Sequence, residues 1–239
     1  MELYYTDKSN IFSNRLRISG QEAHHISRVM RHKIGDVIYV TDGEGNEYQC
    51  TIDKINNDIE ANIVNVNRKA REPKLKVTLA QSIIKGFRMD IIIEKATELG
   101  ISEIIPVITE RTIAQVSEKK AERFKNIAFA AIKSSTRTLL PQISSPLTFS
   151  QLLNKINDYD LAILAWEEEK QKRLADIIGG RNFRKILLII GPEGGFSKDE
   201  VQKTLNFGVK CFSLGPRRLR AETAAIAALS LLMYELKEM

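Results

Sequence analysis

Residues 186–190, ILLII, run without a polar interruption into GPEGGF at 191–196. A strand that is apolar on both sides of its pleat is buried on both faces. That demands a parallel sheet covered by helices above and below, because a sheet with one wet face reads as alternation. The surrounding chain fits. Strands are expected at 75–81 (LKVTLAQ), 101–107 (ISEIIPV), 161–166 (LAILAW) and 209–214. Helices are expected at 88–99, ended by Gly100, then at 117–137, 148–156, near 170–178, and at 221–238. Strand–helix alternation of this kind specifies an α/β fold with a parallel sheet. The last helix carries Ala224, Ala225, Ile226, Ala228, Leu229, Leu232 and Met233. It is apolar over most of its surface, which predicts burial in a core or at an interface.

The first third has a different period. Residues 36–41 (DVIYVT) alternate, DGEGN supplies a turn, and 47–55 follow as a second strand. NND closes another turn before 59–66 (IEANIVNV). Short strands with tight turns predict a small β-barrel. One helix near 21–31 interrupts them, with Ala23, Ile26 and Met30 on one face and His24, Arg28 and Arg31 on another. RKAREPK at 68–74 is charged and aperiodic and marks a boundary. Two domains follow, 1–70 and 74–239.

Charge narrows the partners. The net charge is +6, yet residues 1–72 hold 10 Lys/Arg against 11 Asp/Glu, so the excess lies beyond them. A basic chain favours an anionic partner, nucleic acid first. At 43% hydrophobic residues the chain can build a core. No apolar run approaches the roughly 20 residues that cross a bilayer, and MELYYTDKSN lacks a signal-peptide pattern, so a cytoplasmic protein without a membrane partner is expected. Cys50 and Cys211 are far apart and read as small buried apolar residues. The three histidines have no carboxylate or Cys at ligand spacing, so no metal is expected.

Two loops carry chemistry. GPEGGF follows the ILLII strand and leads into Ser197-Lys-Asp-Glu200, a capping box. In open α/β sheets ligands bind beyond the carboxyl ends of strands, where glycine lets backbone approach closely. The loop has neither the Gly-Lys-Ser/Thr of a Walker motif nor GxGxxG, so a ligand without a large phosphate cluster fits best. LGPRRLRAET at 214–223 also lies between a strand and a helix. Its Arg217, Arg218 and Arg220 at the ligand end of a sheet suggest contact with phosphate or a base. Glu222 is placed for the helix dipole.

GPEGGFSKDE and LGPRRLRAETA, in this order, resemble the two signature loops of the RsmE-type branch of the SPOUT methyltransferases. EKATELGI at 94–101 resembles the helix before that family's second strand, and TERT at 109–112 the loop after it. EAHHISRVMRHKIGD and DGEGNEY resemble its PUA-like domain, so the similarity covers nearly the whole chain. KSSTR at 133–137 departs from the family's acidic-amide pair and keeps only the Arg. The resemblance implies a C-terminal SPOUT-type parallel sheet with a trefoil knot, an N-terminal PUA-like β-barrel and a homodimer. It implies S-adenosylmethionine as methyl donor and uracil N3 of 16S ribosomal RNA, in the decoding region of the small subunit, as acceptor. It places the donor against Leu164, Ala165, Trp166, Gly191, Pro192, Glu193, Gly194, Gly195, Leu214, Gly215, Arg217, Leu219 and Arg220.

Uracil N3 is a poor nucleophile while it holds its proton. Arg220 is the candidate to stabilise charge on the uracil oxygens; Glu222, then Glu193, are the candidate bases, with helix N-terminal stabilisation the alternative role of Glu222. RNA contacts are expected at His24, Arg28, Arg31, Arg111, Arg137 and Arg218. Two competing functions are a SPOUT methyltransferase of another specificity (ribose 2′-oxygen or guanine) and a non-catalytic RNA-binding assembly factor.

Overall fold

The computed structural model describes residues 2–113 and 117–239; Met1, at the head of the expected 1–70 domain, lies outside them. The chain separates into two units. One comprises Met1–Glu72 with Phe129–Leu140, the other Pro73–Ala128 with Pro141–Met239.

The first unit holds β1 (Leu3–Tyr5), β2 (Arg15–Ile18), β3 (Val37–Thr41), β4 (Asn46–Ile55) and β5 (Ile59–Arg68). They form one sheet in the order β1-β3-β4-β5-β2. The β4–β5 register shifts at Gln49/Cys50 and Ile52/Lys54, and such bulges bend and twist a strand pair. Alternation sends Leu16, Ile18, Ile38, Val40, Ile52 and Ile59 into one core. Helix α1 (Gly20–His24) continues as a π turn, His25–Val29, and covers this core with Ala23 and Ile26. The wider turn closes with Met30 N–H donating to His25 C=O at 2.9 Å. It rotates the next residues away, so Met30, expected on the core face, is 40% exposed. Arg31 follows in the left-handed region (φ 58°), past the helical segment rather than on a face with His24 and Arg28.

Phe129–Leu140 is stitched to the DGEGN turn. Gly45 N–H donates to Thr138 C=O and Leu140 N–H to Gly43 C=O, both at 2.9 Å. Lys133 pairs with Glu22 at 2.9 Å and stands over the Phe129 ring. Arg137 corrects an expectation. Read as an RNA contact, it is 3% exposed and donates through Nη2 to Glu72 Oε2 at 2.7 Å. Glu72 Oε1 also accepts the N–H groups of Thr138 and Leu139, at 2.7 and 3.0 Å.

The second unit holds β6 (Lys76–Ser82), β7 (Glu103–Ile108), β8 (Gln142–Ile143), β9 (Leu147–Thr148), β10 (Leu161–Ala165), β11 (Lys185–Ile190) and β12 (Lys210–Phe212). All pairings are parallel, in the order β12-β10-β11-β6-β7-β8, with β9 also on β7. The helices are α2 (Arg88–Glu98), α3 (Glu118–Ser134), whose last turns belong to the first unit, α4 (Phe149–Leu153), α5 (Leu174–Ile178), α6 (Lys198–Asn206) and α7 (Ala221–Glu235). Ile186–Ile190 are all at most 2% exposed, and burying each such side chain contributes roughly 1.5–3 kcal/mol. Leu187 and Ile189 join Leu152, Phe196 and Val201 on one face. On α7, Ala225, Ala228, Leu229, Leu232 and Met233 are buried, while Leu231 and Tyr234 are 46% and 70% exposed. The helix pairs α2·α7 and α5·α7 are in contact.

Helix α2 stops where Gly100 (φ 92°) turns left-handed; a Cβ there would sit 2.6 Å from Pro73 Cγ. The helices expected to run to 137 and 238 end earlier, at Ser134 and Glu235. In each the reversal falls on a non-glycine residue, Thr136 (φ 57°) and Lys237 (φ 58°). Among the described residues no helix is long and apolar enough to cross a membrane. Burial pushes the Cys50 thiol up to about 12 and the Cys211 thiol up to about 11. Both thiols are expected to resist a disulfide-exchange reagent at pH 8 in the folded chain and to react fully in denaturant. Reaction of the folded chain within minutes would contradict their burial.

Candidate donor and RNA site

Three loops leave neighbouring strands at their carboxyl ends, after β10, β11 and β12. They line one cleft that is open to solvent. Its wall comprises Ala165, Trp166, Gly191, Pro192, Glu193, Gly195, Leu214, Gly215, Arg217 and Leu219, with Glu167, Ile190, Phe196, Arg218, Ala221 and Ala224. Trp166 N–H donates to Phe212 C=O at 3.1 Å and ties two of the loops together. Gly195 N–H closes a turn on Pro192 C=O at 3.0 Å. Gly195 has φ 66°, and a Cβ there would overlap the Glu167 carboxylate. Glycine therefore meets two demands, a left-handed backbone and room beside an acidic side chain.

The GPEGGF loop is braced from behind. Ser197 caps α6 with its hydroxyl on Glu200 N–H at 3.3 Å, and Glu200 Oε2 accepts Ser197 N–H at 2.9 Å. Glu200 Oε1 accepts Glu110 N–H at 2.8 Å, and Arg111 Nη1 donates to Gly194 C=O at 2.7 Å. The TERT segment thus holds the loop from the β7 side.

The structure distributes the residues named from sequence unevenly. Leu164 is fully buried in the sheet core and does not line the cleft. Gly194 lines a neighbouring cleft with Arg111, Lys170, Arg173, Arg217 and Arg218. Arg220 is the exposed N-cap of α7, outside both walls, and its guanidinium has no partner among the described residues. Glu222, in the first turn of α7, lies off the cleft: Arg88 Nε stands 4.0 Å from its Oε1, and its Oε2 is buried with no hydrogen-bond partner among the described residues. Sequence reasoning missed Arg88 and Glu167. Arg88 opens a helix and Glu167 sits one residue past LAILAW, so only the strand-end rule points near them. Ala221 and Ala224 were legible only as small residues at i, i+3 spacing. In the first unit His24, Arg28 and Arg31 are exposed. Among the described residues no three His, Cys, Asp or Glu side chains are grouped to hold a metal.

A parallel sheet whose glycine-rich loops line one cleft beyond its carboxyl ends defines a class, and comparison with known proteins gives its chemistry. Family models match for the RNA methyltransferase domain over residues 71–233 and for the RNA methyltransferase PUA domain over residues 18–64. Ribosomal RNA small subunit methyltransferase E of Bacillus subtilis is 35% identical over 229 residues, covering 91% of this chain and 89% of its own. That of Synechocystis is 32% identical, covering 92% of this chain and 73% of its own. The crystal structure of the Neisseria gonorrhoeae enzyme bound to S-adenosyl methionine superposes with a TM-score of 0.87, at 28% identity, over 98% of this chain and 97% of that one. The chain belongs to the ribosomal RNA small subunit methyltransferase E family.

Proposed function

We propose that this chain transfers a methyl group from S-adenosylmethionine to uracil N3 of 16S ribosomal RNA in the decoding region of the small subunit. The observation that carries this reading is the convergence of three strand-end loops on one cleft. The cleft suits the donor: it offers apolar wall for a flat base at Ile190, Leu214 and Leu219, and backbone close enough to reach its edge at Gly191 and Gly195. Glu167 stands beside Gly195 as an acceptor for hydroxyl groups. Bound there, the donor supplies a methyl on a cationic sulfonium, which leaves as a neutral thioether.

The chain's own residues prepare the acceptor. The N3 proton and the N3 lone pair that takes the methyl share one in-plane direction, so proton removal comes first and needs its own place. Ala221 and Ala224 of α7 line the cleft while Glu222 faces Arg88, which keeps proton acceptor and methyl donor apart. Arg220, at the positive end of α7, stabilises the uracil anion. His24, Arg28 and Arg31, with Arg111 and Arg218, contact RNA through exposed positive or polar groups. Leu231 and Tyr234, apolar and exposed on α7, support a homodimer. A ribosomal substrate implies a cytoplasmic site of action. The trefoil knot belongs to this reading as well.

The test is transfer of labelled methyl to small subunits that lack the modification, followed by mass spectrometry of the digested RNA. The expected product is N3-methyluridine at one site. Methylated ribose or guanine would reassign the specificity, and RNA binding without donor binding would indicate an assembly factor.

A further inference from the structure

Arg88 is the first residue of α2, and its guanidinium lies between one carboxylate from a loop and one from α7. Nη1 is 3.4 Å from Glu193 Oε1 and Nε is 4.0 Å from Glu222 Oε1. Glu193 Oε1 also accepts the N–H of Lys85 at 3.2 Å. Glu222 is held differently. Its side chain is only 14% exposed, Oε1 faces Arg88, and Oε2 is buried without a donor. A buried acceptor left unanswered is costly, and a purely structural core removes it by pairing or by apolar replacement. Among the described residues two other buried side-chain atoms lack partners, Gln81 Oε1 and Ser82 Oγ, at the end of β6. Gln81 Nε2 lies 3.4 Å from Gly191 C=O, where the loop carrying Glu193 begins. Gln81 thus lies beside the start of the loop that carries Glu193.

We infer that Arg88 is a positioning residue for methyl transfer, acting through Glu222; this rests on the function proposed above. By standing 4.0 Å from Oε1, Arg88 orients the carboxylate electrostatically, so that it is presented to the N3 proton when substrate binds. In the step, the N3–H bond breaks, its electron pair stays on nitrogen, and the proton goes to the Glu222 carboxylate. The negative charge moves from carboxylate to uracil ring, and the proton later passes to water. Arginine suits the task because its rigid fork reaches two carboxylates through separate nitrogens, where a lysine offers one point of charge. A merely structural bridge would do little at this place: Arg88 and Glu193 are 38% and 39% exposed, and exposed ion pairs add little to stability.

The experiment uses the full chain, donor and small subunits lacking the modification, with Arg88→Ala, Arg88→Lys, Glu222→Gln and the double variant Arg88→Ala/Glu222→Gln. Arg88→Ala is expected to lower kcat by at least about tenfold, while KM for subunits and Kd for S-adenosylhomocysteine stay within about twofold. Arg88→Lys should recover part of kcat. In the Glu222→Gln background, Arg88→Ala should cost no more than about a further twofold. An unchanged kcat in Arg88→Ala, a loss confined to KM or to donor Kd, or fully multiplicative effects in the double variant would each overturn the positioning role while leaving the function intact. A wild-type chain that forms no N3-methyluridine would overturn the function and this role with it.

Discussion

Replacing Gly195 with valine is expected to weaken binding of S-adenosylhomocysteine by about a hundredfold, about 2.8 kcal/mol. The substitution acts twice. It forces a β-branched residue to φ 66°, a conformation that costs an L-residue roughly 1–2 kcal/mol. It also places a branched side chain where the Glu167 carboxylate lies. That carboxylate is the flexible end of its side chain, so it moves, and it moves along the wall of the cleft. Gly208→Val separates the two effects. Gly208 has φ 81° with nothing within 4 Å of its missing Cβ, and it lies outside the donor cleft. It should lose comparable stability and keep full donor affinity in calorimetry. Equal loss of affinity in both variants would show that strain, rather than the cleft, is being measured.

The second large effect is on stability. Glu72→Ala should destabilise the first unit by about 3–5 kcal/mol in urea unfolding, the range for breaking a buried ion pair by removing one partner. The Glu72 and Arg137 side chains are 3% and 4% exposed. Besides the guanidinium, Glu72 accepts the Thr138 and Leu139 N–H groups, so the variant also strips acceptors from two backbone donors. Glu72→Gln, which keeps one carbonyl acceptor, should cost clearly less. Lys54→Ala, at the exposed pair with Glu60, should change stability by under about 1 kcal/mol. If all three variants matched wild type, the buried network would have no energetic weight, and Arg137 would again be available as an RNA contact.

What the sequence revealed follows from which physical signals are local. Continuous apolar runs such as 186–190 and the change of period near residue 70 identify a parallel sheet and a separate β-rich unit, because burial on one or two faces dictates residue type directly. The positions of GPEGGF and LGPRRLR were legible for the same reason: each follows such a strand. Helix ends were legible where glycine reverses the chain, as at Gly100, and not where Thr136, Lys237 or Arg31 does so. Composition gives no warning that one of these will tolerate a positive φ. The π turn at His25–Val29 was invisible because it depends on a hydrogen-bond register, and it moved Met30 off the core. Non-local pairing set the remaining limits. Nothing in RKAREPK or KSSTR shows that Glu72 and Arg137 meet across 65 residues. Nor does spacing reveal that Arg88 meets carboxylates from both signature loops. Leu164 was named for its place near a loop, whereas β10 alternation turns it into the core.

The most direct measurement is a crystal structure of this chain grown with S-adenosylhomocysteine. The account predicts density for the nucleoside between Trp166, the Gly191–Gly195 turn and Leu214–Leu219, with its base against the apolar wall. Density confined to the neighbouring cleft beside Lys170 and Arg173, or a donor cleft left empty at saturating ligand, would contradict it.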